Sequence, residues 1–162
     1  MIKLIFVFIS LVLMGCATGY QKDGLGGGFK DTKISEDLYR ISFQGNAYTD
    51  RQQAADYALL RAAEVTTENG FNYFAILDER EGSQTIHYVS PSSTDVKGTF
   101  RGNQFSGTTT QTGGQSYLFN LPNQRFIIRT FKTKPGIEGI VYDANEVITN
   151  LRQQYGIKKG DS

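Results

Sequence analysis

The chain has 162 residues, 39% hydrophobic and 20% charged, with 18 Gly, 3 Pro, one Cys and one His. That length suits one domain with a real core, and a net charge of +1 draws it neither to nucleic acid nor to an anionic surface. A single Cys excludes an internal disulfide, a Cys-based zinc site and an iron–sulfur cluster, and a single His leaves no His pair for a catalytic metal, so no cofactor and no metal are expected.

Residues 1–15 read as a signal peptide. Lys3 and the α-amino group form a positive start, and Leu4–Met14 is an apolar run broken only by Ser10. At roughly eleven residues this run is shorter than the ~20 that a membrane span needs, and it fits the apolar region of a secretory signal. The alternative is a buried N-terminal strand or helix. The run ends in Leu13, Met14, Gly15 and Cys16, which resembles the lipobox of bacterial lipoproteins. That resemblance implies cleavage between Gly15 and Cys16, a diacylglyceryl group on the Cys16 thiol and acylation of the new amine. It also explains why an exported chain keeps one odd cysteine. In a Gram-negative source, Ala17 after Cys16 resembles outer-membrane lipoproteins, because Asp is the usual inner-membrane retention signal there.

Residues 16–30 hold Cys16 and a Gly-rich stretch, which reads as a tether. The glycines 24, 26, 27 and 28 invite a phosphate-loop reading, but no strand precedes them and no helix obviously follows. One α+β domain is then expected over 31–157. Leu38–Phe43 alternates as a strand, closed by Gly45 and Asn46. Thr49 with Gln52 matches a capping box for a helix from about Asp50 to Glu68. Ala54, Ala55, Ala58, Leu59, Ala62 and Val65 form its inward stripe, and Asn69-Gly70 stops it. A buried strand follows over Phe71–Leu77.

Residues 82–122 are rich in Ser, Thr, Gly and Gln. An antiparallel meander is favoured here over a floppy loop, with turns at Gly102-Asn103 and Gly113-Gly114, and with Phe100 opposite Phe105. Tyr117–Leu121 is a strand, Pro122-Asn123 a turn, and Arg125–Lys132 a central strand. Asp143 caps a short last helix, Ala144–Tyr155, with Val147, Ile148 and Leu151 inward, and 158–162 is a tail. The fold class is therefore α+β: an antiparallel sheet of about five to six strands, one long Ala-rich helix packed on it and a short C-terminal helix.

The stretches Gly28–Asp31, Tyr39–Asn46 and Asp56–Glu64, the Thr-rich middle and Tyr142–Leu151 resemble a family of small proteobacterial lipoproteins of unknown function. The resemblance covers most of the exported chain. It implies a lipoprotein of the outer membrane or facing the periplasm, lends no catalytic residues, and implies that Phe29 is already docked on the domain.

Candidate chemistry is sparse. His87 lies in a strand without the Gly-x-Ser-x-Gly elbow that a serine nucleophile would bring. Asp78, Glu79 and Glu81 could supply an acid–base pair or calcium ligands, but a charged strand end in solvent is the plainer account. Arg125, Arg129, Lys132 and Lys134 read as a solvated basic strip rather than a nucleic-acid site. The expectation is a non-enzymatic envelope lipoprotein, held to the membrane by lipid on Cys16 and binding an envelope protein. The alternative is a cell-wall ligand binder or hydrolase using His87 or the three carboxylates. With Lys3 removed, basic and acidic residues balance, so electrostatics cannot hold the exported chain on a membrane. Fractionation should therefore leave it with membranes through high salt and release it with detergent. Cys16→Ser should move it to the soluble fraction.

Overall fold

The computed structural model describes residues 17–160, so the expected signal peptide and Cys16 lie outside the described residues. The chain divides into two compact units, one running up to Gln84 and resuming at Leu121, the other Thr85–Asn120.

In the first unit, β1 (Gly28–Lys33) and β2 (Leu38–Gln44) form an antiparallel pair. Helix α1 (Arg51–Glu68) follows, then β3 (Tyr73–Val89), which continues into the second unit. The chain returns through β6 (Ser116–Phe131), a two-residue β7 (Tyr142–Asp143) and helix α2 (Ala144–Tyr155). The antiparallel sheet has the order β1-β2-β6-β3-β7, so the Arg125–Lys132 segment is central, as its alternation predicts. The α+β class with a long and a C-terminal helix holds. The expected single sheet is instead a five-stranded sheet and a separate two-stranded one, β4 (Ser93–Arg101) with β5 (Gln104–Thr112).

Alternation sets the layers. Tyr39, Ile41 and Phe43 from β2, Phe126 and Ile128 from β6 and Phe74 from β3 join one core with the alanines of α1. Helix α1 lies across β1 and β2 and is backed by α2. That second neighbour explains why Leu60 and Ala63, off the expected stripe, are buried too, while Ala55 and Leu59 are half-buried. Ala at 54, 58 and 62 removes the bulk that would hold helix and sheet apart.

Several local expectations shift. The cap of α1 is Asp50, whose Oδ1 accepts from the Gln53 amide at 2.7 Å. Thr49 is engaged elsewhere, its Oγ1 accepting from the amides of Thr18 and Asn46. Pro122 is not a turn but part of β6; pairing with β2 ends at Gln44 opposite Asn123, so its missing N–H breaks no bond of that ladder. Gly113-Gly114 does not close a hairpin between neighbouring strands. It brings the chain back beside Ser90, whose amide donates to Gln115 and whose carbonyl accepts from Gly114.

The largest shift concerns the tether. Thr18, Tyr20 and Phe29 are buried, and the amide of Phe29 donates to Gln21 O at 2.8 Å. The glycines serve close approach rather than slack. Gly27 has φ 87°, and a Cβ there would lie 2.2 Å from Gln44 O; one on Gly28 would lie 2.5 Å from Gln21 O.

Tyr20 reaches the interior, where its hydroxyl donates to the buried Glu64 carboxylate. Glu64 also accepts from Arg61 at 3.2 Å and from Arg152 at 2.6 Å, joining α1 to α2. Arg61 in turn binds Asp31 of β1 and Glu68, and its guanidinium lies over the Phe29 ring. Burial first, and then the Glu64 charge, push the Tyr20 hydroxyl well above the ordinary tyrosine range. Tyr155 moves the same way through burial and its bond to Asp56. The folded chain keeps these protons where the unfolded chain loses them, so this stability is full below pH ~10 and falls as pH rises past it. Urea titrations at pH 8 and pH 11 should show that fall, and Tyr20→Phe should flatten it, leaving the part due to Tyr155.

Candidate functional site

The residues singled out for chemistry are divided between the two units. His87 is exposed in the second unit, whereas Asp78, Glu79 and Glu81 belong to the first. Each carboxylate has its own partner: Asp78 accepts from Arg80 at 3.0 Å, Glu79 from the Gln124 side chain at 2.8 Å, and Glu81 pairs with Arg51 at 3.5 Å. Glu81 borders a concavity of about 270 Å³, but its charged neighbours there are Arg80 and Arg125. Among the described residues no group of three or more His, Cys, Asp or Glu could hold a metal ion. No described helix is long and apolar enough to cross a membrane.

The basic strip is divided. Arg129 donates to Asp37 at 2.9 Å, which holds that carboxyl below its ordinary range. Arg125 belongs instead with residues of neighbouring strands. The face of the sheet away from α1 carries Lys30 of β1, Arg40 and Ser42 of β2, and Arg125 of β6. Register puts Lys30, Ser42 and Arg125 in one row across three strands and Arg40 diagonal to both ends. With Thr32 they line a concavity of about 280 Å³. None of these three cations forms an ion pair among the described residues. Like charges at such cross-strand spacing repel, and three cations with the Thr32 hydroxyl are the donors that a phosphate-like anion takes, the Ser42 hydroxyl donating to Lys30 O at 3.3 Å. Period-two alternation shows which residues of one strand share a face, but not which strand lies beside it; that is why sequence reasoning missed Lys30 and Arg40.

The second unit is a different surface. Every residue from Thr85 to Asn120 is exposed except the half-buried Ser90. Gly102, with φ 61°, opens the two-residue turn between β4 and β5, and Phe100 lies opposite Phe105 with ring centroids 4.9 Å apart, as expected. The Phe105 ring covers the Gly98–Gly107 pair, where a Cβ on Gly98 would come within 2.4 Å of it. Tyr88, Tyr117 and Phe119 form a second aromatic row, neighbouring centroids 6.4 Å apart. Val96, Phe100 and Leu118 are more than half exposed. The two-stranded sheet leaves one edge of each strand open. Strand β5, Gln104–Thr112, holds no charge and no Pro to blunt its edge.

Comparison with protein-family models, with curated proteins and with solved structures gives no match.

An anion seated among Lys30, Arg40 and Arg125 would relieve their repulsion. Inorganic phosphate is accordingly expected to raise the urea midpoint beyond the general salting effect. Arg125→Gln should start slightly more stable and lose that excess response. Paired urea titrations in phosphate and in chloride of equal ionic strength check this.

Proposed function

We propose that this chain is a non-enzymatic lipoprotein of the bacterial envelope, anchored through Cys16, whose β4–β5 hairpin docks on a protein partner by strand addition. The anchor rests on the lipobox-like end of the signal peptide and on its resemblance to small proteobacterial lipoproteins. The residue after Cys16, Ala17, favours the outer membrane if the source is Gram-negative, with the domain facing the periplasm.

The observation that carries the docking reading is the second unit's surface. A lone two-stranded hairpin is marginal in water, yet this one displays Val96, Phe100 and Phe105 and leaves the uncharged edge of β5 open. A partner strand would satisfy those backbone groups, and pockets for alternate side chains would give selectivity. The alternative, cell-wall hydrolysis at His87 or at the 78–81 carboxylates, has less support. Those groups lie in different units, and the carboxylates are engaged with Arg80, Gln124 and Arg51.

The chain offers a clean excision point, because Ser90 and Gln115 are hydrogen-bonded at 2.9 Å. Joining Ser92 to Gly113 removes β4 and β5 and keeps Cys16. In-cell crosslinking followed by mass spectrometry should give a discrete protein adduct for the intact chain and lose it for the excised one, with both still in the membrane fraction. Equal adducts from the two chains would end the docking reading.

A further inference from the structure

We infer that the surface formed around Thr18 by the Gly24–Gly27 turn and the 46–49 loop rests directly on the lipid bilayer, with Leu25 and Tyr48 entering its interface; this rests on the lipidated Cys16 of the proposed function. Only Ala17 separates Cys16 from Thr18. Thr18 is 3% exposed and held at both polar groups. Its amide donates to Thr49 Oγ1 at 3.1 Å, and its hydroxyl donates to Gly26 O at 2.7 Å. Two residues of extended chain span at most about 7 Å. A lipid on Cys16 therefore cannot hang the domain on an arm, and whatever surrounds Thr18 meets the headgroups.

Two large side chains stand exposed beside it without a structural reason. Thr18 binds two loops, and each displays one large side chain beside the contact. Gly24–Gly27 is a tight turn, closed by the Gly27 amide on Gly24 O at 3.1 Å, with Leu25 fully exposed at its tip. Tyr48, next to Thr49, is 70% exposed, and its amide is held by Asn46 Oδ1 at 2.9 Å. Neither side chain packs in the core. A Leu to enter the acyl boundary and a Tyr to sit at headgroup level are the pair that an interfacial contact uses. Ile140 serves as the internal control. It precedes β7, which pairs with Tyr73 and Phe74 beside the Phe131 end of β6, whereas Thr18 accepts from Asn46, whose neighbour Gly45 donates to Pro122 nine residues back along β6.

The chain contains no Trp, so a single introduced indole reports its own surroundings. Leu25→Trp, Tyr48→Trp and Ile140→Trp would be made in the full-length precursor, purified from membranes as lipidated protein and placed in phosphatidylcholine–phosphatidylglycerol vesicles with and without brominated acyl chains. A contact as deep as interfacial helices reach should quench the indoles at 25 and 48 by roughly half and leave that at 140 nearly unchanged. Vesicle-bound, lipidated protein quenched equally at all three positions would overturn the seat while the anchor stands. An N-terminal peptide carrying no acyl groups on Cys16 would overturn both. Should Tyr48→Trp lose its near-ultraviolet circular dichroism, Leu25→Trp carries the test alone, because its tip touches nothing in the core.

Discussion

Glu64 is the point where separate parts of the chain meet. Its carboxylate, 5% exposed, takes the Tyr20 hydroxyl from the N-terminal segment, Arg61 from its own helix and Arg152 from the C-terminal helix. A charge in that position is costly unless surrounded by donors, and removing one partner of such a pair typically costs about 3–5 kcal/mol. Each element that supplies a donor is thereby held to the others. Arg61 extends the grip to Asp31 of β1, so the edge strand, both helices and the entering chain are joined through two side chains. Arg152 Nε is buried without a partner, so even this arrangement leaves one donor unpaired. The network acts as a fastener rather than as chemistry: its groups face one another, and each acid is matched by a cation or a hydroxyl.

The two units manage their surfaces in opposite ways. The first buries Phe29, Phe43, Phe74, Ile41 and Ile128 almost completely and exposes cations on the open face of its sheet. The second buries almost nothing, and its aromatic rows and strand ladder are what hold it together. Cross-strand aromatic pairs contribute only about 0.2–1 kcal/mol each, small beside the ordering cost of its backbone. Such a hairpin gains most from a further strand, because pairing satisfies backbone groups and buries Val96, Phe100 and Leu118 in one step.

Much of the first unit was legible because its signals are local and agree. The alternation at Tyr39, Ile41 and Phe43, the alanines of α1, the Asn69-Gly70 stop and the Asp143 cap each depend on near neighbours. Where the sequence misled, the deciding partner was distant. Thr49 has the chemistry of a cap, but Thr18, remote in sequence, claims its hydroxyl and leaves Asp50 to cap the helix. Glycine is ambiguous in principle, since the missing side chain that permits slack also permits contact. At Gly27 and Gly28 the backbone of Gln44 and Gln21 settles it for contact. Pro122 reads as a turn until the end of the β2 ladder is seen to spare its nitrogen. The cation cluster was hidden for the same reason, because Lys30, Arg40 and Arg125 come from three strands that only the sheet order brings side by side.

In the proposed lipoprotein, that distant contact at Thr18 carries the greatest functional weight. A Gly-rich tether would let the domain sample any orientation above a membrane and leave its surfaces equivalent. A chain fastened from Thr18 onward removes that freedom. The same hydroxyl and amide that fasten Thr18 to Gly26 and Thr49 would also set the distance from a lipid on Cys16, as proposed, to the fold. Packing and placement are thus one interaction: weakening the Thr18–Thr49 contact would loosen the entry of α1 and lengthen the anchor together.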